Sequence, residues 1–227
     1  MSGSVKRRPY ASAIRARRAE ATRQRVLGAA RRLFRERGYG ATTVEHIATL
    51  ARVAPATVYL VFGSKRGILM SLVAAVGTRA NAAQLSAAIL AEPVLRRRLE
   101  LAAKITRVIT EDAWDVMKAI SAGAAMDPEL AEAWRRGEAG RHQAVERAIL
   151  PIASTAARSG LSADAVVDLV WALTGPDLYR ALVIERGWSP QRYEKALSQL
   201  LVAGVLPRES GRPSSPPKRS ASAASPR

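Results

Sequence analysis

The stretch Thr42–Lys65, TTVEHIATLARVAPATVYLVFGSK, decides the fold. Val44, Ile47, Ala48 and Ala51 recur at helical spacing, and so do Val58, Val61 and Phe62 farther on. Only Arg52, Val53 and Ala54 separate the two runs. Pro55 then stands where a helix tolerates proline, in its first turn. Ala48 is small enough to let two helix axes approach closely, and Val53 can plug the corner between them. Two short helices across a tight turn form a helix-turn-helix, whose second helix is sized to enter a DNA major groove.

Charge points the same way. The chain carries 36 Lys and Arg against 19 Asp and Glu, a net charge of +17. Residues 1–66 hold 15 basic and 3 acidic side chains (net +12), residues 67–206 hold 16 and 15 (net +1), and residues 207–227 hold 5 and 1 (net +4). A basic head on a nearly neutral body implies a polyanionic partner. No apolar run approaches the roughly 20 residues needed to span a bilayer. The basic start, with Lys6, Arg7, Arg8, Arg15, Arg17 and Arg18, is not followed by a signal-type apolar stretch, so no membrane partner and a cytoplasmic location are expected. Cysteine is absent, which excludes disulfides and thiolate metal sites. His46 and His142 stand far apart and outside metal-ligand spacings, so neither a metal nor a cofactor is expected; His46 reads as a surface residue, and His142 as either a surface or a pocket-lining residue. With no nucleophile-elbow or phosphate-loop glycine motif, an enzyme is not expected either.

The rest of the chain reads as helices, giving an all-α fold. Residues 1–18 read as a disordered basic arm, with a helix from about Ala16 to Arg37 carrying Val26, Ala29, Ala30, Leu33 and Phe34 on one stripe. Its outer face is basic through Arg23, Arg25, Arg31, Arg32 and Arg35. Gly38 is placed to stop it. Thr42 and Glu45 have capping-box spacing for the next helix, and Ser64 is placed to cap a further one from Lys65. Residues 65–91 are expected to be interrupted near Gly77–Asn81. Separate segments are expected over Val94–Thr110 and Glu111–Ala125, and another from Asp127-Pro128-Glu129 to Pro151. Further helices are expected after Ser162, around Leu178–Ile184 and after Ser189-Pro190. Beyond Pro207 a Ser-, Pro-, Ala- and Arg-rich tail, 207–227, reads as disordered.

The chain resembles the TetR family of transcriptional regulators. The resemblance rests on Ala29-Ala30, Leu33-Phe34, Gly38-Tyr39, Ala41-Thr42-Thr43-Val44, Ile47-Ala48 and Thr57-Val58-Tyr59, followed by Phe62-Gly63-Ser64-Lys65. These motifs lie within residues 19–79. Trp171-Ala172-Leu173-Thr174-Gly175-Pro176 with Tyr179, and Glu185-Arg186-Gly187-Trp188, are similar to one type of C-terminal domain in the family. The resemblance implies an N-terminal three-helix head over 19–79, joined to a larger helical ligand-binding and dimerisation domain over 80–206. It further implies an Ω-shaped homodimer on a palindromic double-stranded DNA operator, released by a small-molecule effector, and so a repressor. Thr42, Thr43, Tyr59 and Lys65 match family positions that touch DNA phosphates, and each has a donor for an anion.

The chain departs from the family at Arg52, where the turn usually has glycine. A left-handed backbone there costs a non-glycine residue about 1–2 kcal/mol, which a guanidinium reaching a phosphate or a guanine edge would offset. The helix Pro55–Val61 contains no Arg, Lys, Asn or Gln, so bidentate base reading from it is excluded. Specificity is therefore assigned to Ala56, Thr57 and Leu60 against thymine methyls, with Arg52 adding reach. Arg15, Arg17 and Arg18 are placed either in an adjacent minor groove or in a merely soluble tail. Trp114, Met117, Met126, Trp134, Trp171 and Tyr179 form a candidate effector box, against the plainer alternative that they are core. Apolar faces over 164–182 and 190–205 are expected to bury against a second copy. A nonspecific nucleic-acid-binding or nucleoid protein remains the alternative, separable by its indifference to duplex sequence and its steep salt dependence.

Overall fold

The computed structural model describes residues 7–79, 82–156 and 160–207, with side chains over 13–76, 82–153 and 160–207. Residues 1–6 of the expected arm and 208–227 of the expected tail lie outside the described residues. The described residues form helices and turns, without strands. α1 (Arg7–Arg37), α2 (Val44–Ala51) and α3 (Pro55–Phe62) make the head, and α4 (Lys65–Arg79) leaves it. α5 (Ala82–Ala91), α6 (Leu95–Ala124), α7 (Pro128–Ala156), α8 (Ala163–Leu173), α9 (Pro176–Tyr179) and α10 (Pro190–Val205) make the body. A π-helical segment, Arg180–Glu185, continues directly from α9.

Two expectations about α1 and α6 are corrected. Residues 7–18 are not a loose arm; they continue α1. Their alanines, among them Ala11, Ala13 and Ala16, are the best helix formers, and no breaker intervenes after Pro9. The break expected at Thr110–Glu111 is absent, because neither residue is a glycine or proline, and α6 runs on as the central spine. Pro151 likewise does not stop α7, which continues to Ala156.

α2 starts one residue later than the capping-box reading requires. Thr43 Oγ1 accepts from the His46 N–H, while Thr42 is fully buried and donates its hydroxyl to the Gly38 carbonyl. Pro55 opens α3 as expected, and Ser64 Oγ accepts from the Gly67 N–H at the start of α4. Gly67 is obligatory: a Cβ there would lie 1.9 Å from the Phe62 carbonyl oxygen.

The head core joins Val26, Ala30, Leu33 and Phe34 of α1 to Ile47, Val58, Phe62, Ile68 and Leu72, with Val53 packed at the corner. It does not end at the head. Val116, Ala119 and Ile120 of α6 and Leu130 of α7 belong to the same cluster. A second core, around Leu99, Ile149, Val170, Tyr193, Leu197 and Leu201, fills the far end of the body.

Candidate nucleic-acid interface and ligand cavity

The exposed side of α3 carries Ala56, Tyr59, Leu60 and Val61, with Thr57 half-buried beside them. Leu60 leaves 87% of its surface open, the most of any large apolar side chain described. With only methyl, methylene and hydroxyl groups on this side, α3 can read thymine methyls and groove shape but cannot clamp a base edge with two hydrogen bonds. At the turn before it, Arg52 takes φ 55° and ψ 52°, the left-handed conformation. It is the one non-glycine residue with positive φ among those described. Its side chain is exposed and has no protein partner among the described residues.

The four residues matched to phosphate contacts fall into two groups. Thr43 and Tyr59 are exposed, although the Tyr59 hydroxyl donates to Glu45 Oε1 at 3.3 Å. The Glu45 charge raises the Tyr59 pKa, so the phenol stays a neutral donor. Thr42 and Lys65 are turned inward, which corrects that expectation. Thr42 is sealed under the α1–α2 turn. Lys65 Nζ donates to the Tyr39 and Thr42 carbonyls, each at 2.8 Å, and lies 4.3 Å from the Tyr39 ring centroid. Partial burial lowers its pKa. Both residues therefore fix the loop that sets the angle of α2 and α3 rather than offering a free donor.

Several α1 and α4 arginines tie the head to the body. Arg31, expected on the outer face, meets Asp115 at 2.7 and 3.0 Å and also contacts the Asp112 carbonyl. Arg66 reaches Asp127 at 3.3 Å and Glu129 at 3.0 Å. Behind them Gly123 of α6 lets the Tyr39 ring approach, since a Cβ would lie 3.2 Å from it and 2.6 Å from Leu130. None of these contacts is local in sequence, and the sequence reading missed them.

Between the two cores lies a cavity of about 510 Å³, within the ordinary range for small-molecule sites. α4 contributes Val73 and Val76, α5 Ile89 and Leu90, α6 Ile105, Ile109, Met117 and Ile120, and α7 Trp134 and Val145. Small residues, Ala102, Gly137, Ala144 and Ala148, leave the space. One wall is polar: Arg141 pairs with Glu138 at 2.6 Å, donates to the Trp171 carbonyl at 2.6 Å, and lies over the Trp171 ring. Thr106 and Thr110 donate their hydroxyls to α6 carbonyls four residues back, leaving their oxygen lone pairs as acceptors.

Of the six residues expected in an effector box, Met117 and Trp134 line this cavity, and the other four do not. Trp114 packs on Tyr179, and Tyr179 packs edge-on against Tyr193 in the second core. Trp171 faces Arg141 and the His142 ring from outside the cavity. Met126 is 65% exposed at the α6–α7 turn. His142 lies 3.3 Å from Asp168, bridging α7 to α8. Among the described residues no cluster of His, Asp and Glu could hold a metal ion, and no single helix is long and apolar enough to cross a membrane.

The pattern of the family described as bacterial regulatory proteins, tetR family, matches residues 26–72, from the α1 core face to Leu72 of α4. The head is thus similar to the DNA-binding domain of the TetR family. An uncharacterised HTH-type transcriptional regulator of Mycobacterium tuberculosis is 45% identical over 62 residues, 27% of this chain and 29% of that protein. This chain thus spans less than a third of that relative. The uncharacterised HTH-type transcriptional regulator YdeS of Bacillus subtilis is 27% identical over 168 residues, 73% of this chain and 81% of YdeS. Two solved structures share the fold across head and body. FadR of Bacillus subtilis in complex with stearoyl-CoA has a TM-score of 0.65 at 19% identity, covering 80% of this chain and 98% of that one. NalD of Pseudomonas aeruginosa, described as the secondary repressor of the MexAB-OprM multidrug efflux pump, has a TM-score of 0.66 at 21% identity, covering 85% and 99%. The TetR-family match covers the head and the first half of α4, where the motifs are local.

Proposed function

We propose that the chain is a sequence-specific transcriptional regulator, a repressor that holds a palindromic operator as a homodimer and is released when a small molecule fills the body cavity. The observation that carries this reading is the position of α4. Its first turn is locked under α3 through Gly67 and Phe62, and its far half supplies Val73 and Val76 to the cavity wall. A molecule that shifts α4 must therefore shift α3. A ligand changes the DNA affinity only by its differential affinity for the two arrangements, typically ~1–3 kcal/mol or 5–150-fold.

The lining favours a largely apolar ligand with a hydrogen-bond donor. Glu138 and Arg141 already neutralise each other, the threonine oxygens accept rather than donate, and the exposed Arg147 is the lining cation without an acidic partner among the described residues. The half-exposed Leu169 of α8 and Leu200 of α10 support a second copy covering the 164–182 and 190–205 faces. No reaction is assigned to the chain, and a cytoplasmic location follows from its DNA target.

The test is to select genomic fragments with the purified chain and measure operator affinity by fluorescence anisotropy with and without N-phenyl-1-naphthylamine, an apolar dye that brightens in such cavities. One preferred palindrome, bound less tightly when the dye is in the cavity, is the expected result. Dye entry that leaves operator affinity unchanged would remove the regulatory part of the proposal.

A further inference from the structure

We propose that the N-terminal half of α1 is a second DNA-contacting element, a basic helix lying along the phosphates that flank the half-site read by α3. This rests on the DNA-binding reading above. Two contacts set its direction. Arg31 ties α1 to the body through Asp115 of α6. Eight residues earlier, the Arg23 guanidinium sits 5.1 Å from the Phe62 ring centroid, at the C-terminal end of α3. Over those eight residues an α-helix advances about 12 Å, from the body to the recognition helix. α1 continues unbroken to Arg7, about 24 Å farther on the same line. The extension therefore projects past α3, on the side away from the body.

Its register sharpens the point. Val26, Ala29, Ala30 and Leu33 form the face that packs on the head. Stepping back along that face in threes and fours gives Thr22, Arg18 and Arg15. The side that is apolar over the head thus becomes basic beyond it. Arg15 and Arg18 are exposed, and neither has an acidic partner among the described residues. Arg17 lies on the opposite side with Glu20, whose carboxylate accepts from Gln24 along the helix. Like charges at three-residue spacing destabilise a helix unless an anion lies against them, and a phosphate backbone supplies one.

A helix cannot use these arginines as an extended arm would. Its diameter with side chains is about 10–12 Å, whereas the minor groove is about 6 Å wide. The minor-groove placement of Arg15, Arg17 and Arg18 is therefore replaced by contact of Arg15 and Arg18 with phosphates. Such contacts add affinity without sequence preference.

The experiment uses the full chain as wild type, as R15Q/R18Q and as R17Q, titrated with salt on its selected operator and on a random duplex of equal length. Glutamine keeps helix propensity close to that of arginine. Each lost phosphate contact lowers the slope of log K against log salt by ~0.9. R15Q/R18Q should therefore lose ~1.8 per head on both duplexes, with the operator-to-random ratio retained, and R17Q should stay near wild type. A wild-type slope in R15Q/R18Q, or an equal loss in R17Q, would overturn the proposal. So would disappearance of the difference when distamycin fills the minor groove. A wild-type chain that binds neither duplex would instead overturn the parent reading.

Discussion

The head turns Leu60, Val61 and Tyr59 outward on α3, whereas the body turns the same kinds of side chain inward around a void. The two regions also place their cations differently. On the head, Arg52 stays open at the price of a left-handed backbone, while Lys65 is anchored on main-chain carbonyls. In the body, Arg98 is buried and donates to the carbonyls of Leu90, Glu92 and Ala148, and Arg141 closes one cavity wall. A surface that meets a polyanion needs free charges held in a fixed frame. In the cavity wall Arg141 is neutralised by Glu138, and the exposed Arg147 is left to solvent.

The largest effect that would break this comparison is expected at the joint between the regions. In Gly67→Ala the new Cβ collides with the Phe62 carbonyl, so α3 and α4 must separate. A loss of about 3 kcal/mol or more is expected, seen as a fall in Tm of roughly 6–12 °C, together with loss of operator binding. Wild-type Tm and binding would show that α3 and α4 are not locked there.

Arg52→Gly separates stability from recognition. Glycine relieves the left-handed backbone, so stability should rise by about 1 kcal/mol in denaturant titration, while operator affinity falls about tenfold with the lost charged contact. Unchanged affinity and sequence preference would remove Arg52 from the DNA surface.

Gly137→Leu fills the cavity from α7, where nothing lies within 4 Å of an added Cβ. Stability should rise by up to about 1 kcal/mol from helix propensity, and the dye should no longer weaken operator binding. A response equal to wild type would place the effector elsewhere.

The smallest effect is expected at Tyr193→Phe. The Tyr193 hydroxyl is buried without a hydrogen-bond partner among the described residues, and burial pushes its pKa up to about 12. Removing it should change stability by less than about 1 kcal/mol, in the favourable direction. A large loss by denaturant titration would reveal a partner for that oxygen.

The head was legible because its signals are local: the turn at Arg52, Pro55 at the start of α3 and Gly38 after α1 each act within a few residues. Thr42 was misplaced because its spacing to Glu45 suits a cap as well as the neighbouring Thr43 does; burial under the α1–α2 turn decides between them. The extent of α1 was missed because charge drew the reading toward an arm, although the alanines between the arginines favour helix. In the body, periodicity identifies the apolar face of a helix but not which side chains meet empty space. Aromatic residues were expected to mark the cavity, yet Trp114 and Tyr179 fill the second core. Ala102, Gly137, Ala144 and Ala148 make the room, and small residues carry no distinctive spacing. The Arg31–Asp115 and Arg141–Trp171 contacts depend on how long helices cross, which is decided by packing across the whole body.

Competition binding of the purified chain on its selected palindrome against random duplex, at fixed salt, tests the central assignment most directly. A preference of about a thousandfold or more is expected of a methyl-reading α3 held at a fixed angle. Similar affinity for both duplexes would contradict it and leave a protein that binds nucleic acid by charge alone.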